Sequence, residues 1–127
     1  MNLEKVVFAF FILLALTLNF GFFIGDLSIP DQHNVFELFA ALVVSVIATI
    51  MRFGDRTQLG AVVLASSLVV DLQLVAAAIL WAVAVNVLET GLSASMTASI
   101  VSLSGGALLA NLVSVTLLVI DTVMARR

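Results

Sequence analysis

The sequence predicts an all-α integral membrane fold, a bundle of four transmembrane helices with both termini on the cytoplasmic side. Three observations predict it. Hydrophobic residues make up 63% of the 127-residue chain and charged residues 10%, with a mean hydropathy of +1.29. Soluble domains run at about 45–50% apolar and about 25% charged, so a water-soluble fold would lack the polar groups to cover this much apolar surface. The apolar residues fall into four runs, each long enough to meet the roughly 20 residues that cross a bilayer. All five basic residues sit in three places: Lys5, then Arg52 and Arg56, then Arg126 and Arg127. Those are the N-terminus, the connection between the second and third runs, and the C-terminus. The other two connections carry Asp26, Asp31, Glu37 and Glu89 without a Lys or Arg, and the positive-inside rule then places both ends in the cytoplasm.

The chain reads as one domain over residues 1–127, with helices over about 5–24, 35–52, 56–88 and 92–124. The first run competes with a signal peptide, but it is long for a signal core, follows a single Lys and precedes no small-x-small cleavage pattern. Asn34 with Glu37 three residues later forms a capping-box pattern for the second helix. The short turn through Arg52, Phe53, Gly54, Asp55 and Arg56 makes helices two and three an antiparallel hairpin. Asp55 with Gln58 repeats the capping pattern for helix three. That helix exceeds the bilayer core of roughly 30 Å and must tilt or protrude. Glu89, Thr90 and Gly91 break it, and Gly105 and Gly106 mark a place where helix four can bend or divide.

Asp71 is the outstanding residue. It lies near the middle of helix three with no basic residue at its depth. An Asp at the centre of a membrane helix costs about 2.5–3.5 kcal/mol on insertion scales, so it must face a bundle interior, an interface or a water-filled path. Gly60, Ser67, Asp71, Ala78, Ala82 and Glu89 share one helical stripe of small or polar residues. Such a stripe lines an aqueous path with Asp71 as its cation or proton site, supported by Ser67, or forms a close packing seam. Gln73 points to roughly the opposite side with Ser66, Ala77 and Ala84, so helix three meets protein on both sides.

Other residues carry packing. Thr17, Gly21 and Gly25 form a small seam on helix one, where Asn19 adds a polar group at depth. Ser95, Ser99, Ser102, Gly106, Ala110 and Ser114 continue a small-residue surface along helix four, and Asn111 is expected to bond across helices. Asp26, Asp31, Glu37 and Glu89 are candidates for an outer vestibule that concentrates cations, with His33 among them. Glu37 is equally explained as a cap.

The chemistry available is narrow. With no Cys and one His, thiolate metal sites, disulfides and His clusters are excluded. No nucleophile–base pair and no cofactor ligand set is present, which argues against an enzyme and against a bound cofactor. Nothing basic enough to bind nucleic acid exists.

Residues 16–26 (LTLNFGFFIGD), 53–58 (FGDRTQ) and 68–74 (LVVDLQL) resemble a small proteobacterial inner-membrane family carried as a domain of unknown function. The resemblance implies a bacterial inner membrane and brings no activity with it. Small multidrug exporters also have four helices, but with a Glu embedded in the first, where this chain has no carboxylate. Small fluoride channels are antiparallel dimers, which the complete basic-residue bias opposes. The expectation is a parallel homo-oligomer in the lipid bilayer that conducts or transports a monovalent cation or proton. The alternative is an accessory or scaffold subunit of a larger membrane complex.

Overall fold

In the computed structural model, residues 3–24, 35–53, 58–88 and 91–125 are described. They form α1 (Leu3–Phe23), α2 (Val35–Arg52), α3 (Gln58–Asn86) and α4 (Ala94–Ala125). Each is long and apolar enough to cross a membrane. The lengths differ: at 1.5 Å per residue α2 spans about 27 Å, α3 about 44 Å and α4 about 48 Å. The 29 residues of α3 agree with the long third helix expected from the sequence.

The ends show how the chain stops and restarts each helix. α3 closes with Val87 and Leu88 both donating their N–H to the Val83 carbonyl, at 2.9 and 3.0 Å. Gly91 follows at φ 62°, a conformation that a Cβ penalises and glycine does not. Ser93 then caps α4: its Oγ accepts the Met96 N–H at 3.1 Å, and its carbonyl accepts the Thr97 N–H at 2.9 Å. Past that cap α4 runs undivided to Ala125, so Gly105 and Gly106 do not split it. Their role is in packing, where the missing side chains admit neighbours. An added Cβ would lie 2.7 Å from Phe23 Cε1 at Gly105 and 2.6 Å from Gln73 Oε1 at Gly106. The capping residues Asn34 and Asp55 and the turn residue Gly54 lie outside the described residues.

Adjacent helices run antiparallel in the cyclic order α1–α2–α3–α4. Gly21 on α1 meets Glu37 near the start of α2, while Phe8 lies under Arg52 at its end. Phe39 on α2 packs edge-on to Trp81 on α3 with centroids 5.6 Å apart, and Thr49 bonds Asp71 nearer the opposite end. On the next side Gln73 meets Gly106 and Ser66 meets Ser114. Asn19 and Phe23 of α1 close the ring on Ser104 and Gly105 of α4. The two diagonal pairs touch only slightly.

The core is layered. One apolar cluster contains Phe22, Leu38, Val70, Leu74, Ile100 and Val101, and a second contains Phe8, Ile12, Ala48 and Val63. Between them three helices bury a polar residue: Ser45 between Ala41 and Ala48, Ser67 between Val63 and Val70, Asn111 between Ala107 and Val115. The membrane bundle therefore carries a polar belt at mid-depth, the level at which Asp71 sits.

Asn19 makes the cross-helix bond on the α1–α4 side, where its Oδ1 accepts the Ser104 hydroxyl at 2.5 Å and both residues are fully buried. Among the described residues its Nδ2 has no hydrogen-bond partner, and neither does Nδ2 of Asn111. Hydrogen bonds of this kind in membrane bundles contribute about 0.6 kcal/mol on average and up to about 1.7 kcal/mol. Ser104→Ala strips Asn19 of its one partner among the described residues, so a loss of about 1–2 kcal/mol is expected in detergent unfolding. The double variant Asn19→Leu/Ser104→Ala should recover most of it, because no orphaned amide remains. A double variant less stable than Ser104→Ala would show that shape, not the hydrogen bond, governs this contact.

Candidate functional site

The site forms where α2 and α3 face each other. Asp71 lies thirteen residues into α3, about 20 Å from its first residue. Opposite it, α2 supplies Ser45 and Thr49, four residues apart and therefore on one face. Ser45 Oγ donates to Asp71 Oδ1 at 2.6 Å, and Thr49 Oγ1 lies 2.6 Å from Oδ2. Both distances fall in the range of a hydroxyl bonded to a charged carboxylate. Thr49 Oγ1 is also 2.9 Å from the Ser45 carbonyl oxygen one turn back. Ser45 and Thr49 are buried, whereas Asp71 is only half-buried and sits between the exposed Leu68 and Leu72. The carboxyl group is thus tied to its own bundle, on a residue that lies half-buried beside apolar side chains of the outer surface.

Charge is sparse around it. Asp71 is the one ionisable residue in α3, and Asp121, far along α4, is the one in that helix. On α2, Arg52 lies three residues beyond Thr49, its guanidinium carbon 4.4 Å from the Phe8 ring centroid, where the ring face attracts a cation. Glu37 lies two turns before Ser45, its carboxyl against the Gly21 backbone of α1.

Of the expected stripe on α3, Gly60, Ser67 and Ala78 are buried and Asp71 and Ala82 half-buried. Ser67 shares this side of α3, but among the described residues no hydrogen bond joins it to the carboxylate. Gln73 is not part of the Asp71 site. It faces α4, its side chain against Gly106, and its buried Oε1 has no hydrogen-bond partner among the described residues. The same side holds Ser66, whose hydroxyl is 2.5 Å from that of Ser114 and 2.8 Å from the Val63 carbonyl. The two-sided polarity of α3 is therefore used within one chain: one side serves α2, the other α4.

Gln73 also lines an open groove of about 540 Å³ with Ser95, Ala98, Ser99, Ser102 and Leu103. Ser95, Ser99 and Ser102 are exposed, so this part of the small-residue surface is not buried among the described residues. The face of α4 turned inward is Thr97, Val101, Ser104, Ala107, Asn111 and Ser114. Gly106 and Ala110 do pack, the first against Gln73 and the second against the larger core cluster. Gly21 packs against Glu37. Of the four acids expected at an outer vestibule only Glu37 is described, half-buried and turned to α1; Asp26, Asp31 and Glu89 lie outside the described residues, as do Gly25 and His33. Among the described residues no cluster of three or more His, Cys, Asp or Glu side chains suits a metal ion.

Sequence reasoning missed Ser45 and Thr49. Their signal was present, since they are the only hydroxyl residues of α2 and stand four apart. What was missing was the register of α2 against α3, which brings them to Asp71.

Four apolar membrane-length helices closed around a polar belt define a multi-pass α-helical membrane protein. The chain belongs to the family described as family of unknown function DUF6394, whose model matches residues 32–122. That span takes in α2, α3 and most of α4, with Ser45, Thr49 and Asp71, and includes residues 53–58 and 68–74 but not 16–26. No curated protein and no solved structure matches the chain.

Proposed function

We propose that the protein is a transporter or channel for a monovalent cation or proton, with the Asp71 carboxyl group as its ion site. The observation that carries this reading is a half-buried Asp midway along a membrane-length helix, with a hydroxyl against each of its carboxylate oxygens. An intramembrane acid is costly and marks an ion path by default. A purely structural acid would gain most from complete burial, and Asp71 is not completely buried.

The working form on this reading is a parallel homo-oligomer. A lone protomer leaves Asp71 beside exposed Leu68 and Leu72 on a face that lipid would otherwise cover. A neighbouring copy would cover it and place the pathway between subunits, where symmetry makes a ring of carboxylates. Both termini in the cytoplasm follows from the basic residues. It is supported by the antiparallel order of the helices, which gathers the start of α1, the end of α2, the start of α3 and the end of α4 at one end. The membrane is proposed to be a bacterial inner membrane.

A second reading is a scaffold or accessory subunit, favoured by the exposed serines of α4 beside Gln73, whose Oε1 has no hydrogen-bond partner among the described residues. One experiment separates the two. Purified protein in proteoliposomes should pass cations or protons, and Asp71→Asn and Asp71→Ala should each lower the flux by at least about tenfold. Flux that is absent from the wild type, or unchanged in both variants, removes Asp71 conduction and leaves the scaffold.

A further inference from the structure

We infer that the species exchanged at this site is a proton, and that Thr49 is a two-position hydroxyl that keeps the Asp71 carboxyl group hydrogen-bonded in both of its charge states. The inference rests on the reading that Asp71 is the ion site and names what it takes.

The geometry begins with a count of hydrogens. Thr49 Oγ1 has one hydrogen and two acceptors in reach, Asp71 Oδ2 at 2.6 Å and the Ser45 carbonyl at 2.9 Å. It can donate to one at a time and accept through its lone pairs. With Asp71 ionised, Thr49 donates to Oδ2 and Ser45 Oγ donates to Oδ1. When a proton arrives on Oδ2, that proton becomes the donor to Thr49 Oγ1. The Thr49 hydrogen swings to the Ser45 carbonyl, and Ser45 Oγ stays on Oδ1. The carboxyl group goes from charge −1 to neutral, one proton is gained, and the Asp71 and Thr49 oxygens and the Ser45 hydroxyl all keep a partner. Release runs the same steps backwards. An unpaired polar group in a low-dielectric interior is expensive, so a site paired in both states removes that obstacle to exchange.

A bare cation fits less well. Each 2.6 Å gap between a hydroxyl and a carboxylate oxygen is the length of a bond already filled by hydrogen. An ion coordinated by the same four oxygens would require both gaps to open. The surrounding charges are few. On α2, the other element of the site, Arg52 lies three residues past Thr49 and Glu37 eight residues before Ser45, and α4, on the far side of α3, has Asp121 near its end.

Infrared difference spectra between acidic and alkaline buffer test this directly on the full chain in lipid vesicles. A protonated-carboxyl C=O band should appear on acidification, reverse on return, and be absent from Asp71→Asn. Its pH dependence should be the same in sodium, potassium and N-methylglucamine buffers. Thr49→Val should move the band to higher frequency, because the carboxyl proton loses its acceptor, while Thr49→Ser should leave it in place. A band whose pH dependence moves with sodium or potassium concentration overturns the proton assignment. A band indifferent to Thr49→Val in a monodisperse, helical protein overturns the role of Thr49, and an absent Asp71 band overturns both. The spectrum reads the site without requiring flux. Protein that titrates this way yet moves no ions fails the transport reading alone, and protein that moves sodium or potassium with a cation-sensitive band fails the proton assignment alone.

Discussion

Removing both hydroxyls from the α2 face, as Ser45→Ala/Thr49→Val, should destabilise the protein at neutral pH by about 3 kcal/mol. The figure comes from two bounds. Two hydrogen bonds to a charged group give about 1.5–3 kcal/mol each when made in a protein, and a central Asp costs about 2.5–3.5 kcal/mol on insertion scales. The second bound is the smaller and wins, because an Asp stripped of its donors escapes by drawing in water or taking up a proton. Adding Asp71→Asn to the double variant should then restore most of the stability, since the charge that lacked donors is gone. Reversible unfolding in a denaturing detergent series reads both steps. If the triple variant is no more stable than the double, the hydroxyls act through packing and the charge of Asp71 is immaterial to the fold.

Gly105→Leu should be the most damaging single substitution on the α1–α4 side. A Cβ at Gly105 would stand 2.7 Å from Cε1 of the Phe23 ring, a rigid group on the last residue of α1. The remaining Leu atoms must displace that ring or separate the helices, and overpacking of this kind costs about 1–3 kcal/mol. Gly106 is a control one residue away. Its Cβ would meet the end of the Gln73 side chain at 2.6 Å, and a flexible amide can swing aside. Gly106→Ala should therefore cost less than Gly105→Ala, and Gly105→Leu more than either, in the same unfolding series. Equal gains at the two glycines would mean that helix propensity, about 1 kcal/mol in favour of Ala over Gly, dominates both.

These expectations rest on contacts that the sequence brings to notice without pairing them. Asp71 stands out in any reading of the chain because a charge in the middle of a 29-residue apolar helix is costly wherever it points. Its partners do not stand out. Ser45 and Thr49 become visible once α2 and α3 are set side by side, and a connection of five residues (53–57) permits several offsets between two helices of 18 and 29 residues. The opposite placement of Gln73 is legible from helical period alone. Its neighbour Gly106 is not, because that depends on how α4 returns along α3. The serines of α4 show the limit from the other direction. Ser102 and Ser114 stand in one small-residue pattern, yet Ser102 is exposed and Ser114 is buried against Ser66, since the face of a helix that packs is chosen by its neighbours.

Sequence by itself determined the class of the protein: four membrane-length apolar runs, their order, their approximate ends, and one acid at mid-depth. Those properties follow from transfer free energies and the 1.5 Å rise, which are local and additive along the chain. The tertiary structure decided the cyclic packing order, the belt of buried polar residues between two apolar clusters, and the pair of hydroxyls on Asp71. The physical reason is that lipid is as apolar as the side chains, so hydrophobicity drives the helices into the membrane but does not select how they pair. Close fit and a few cross-helix hydrogen bonds make that selection, and both depend on register.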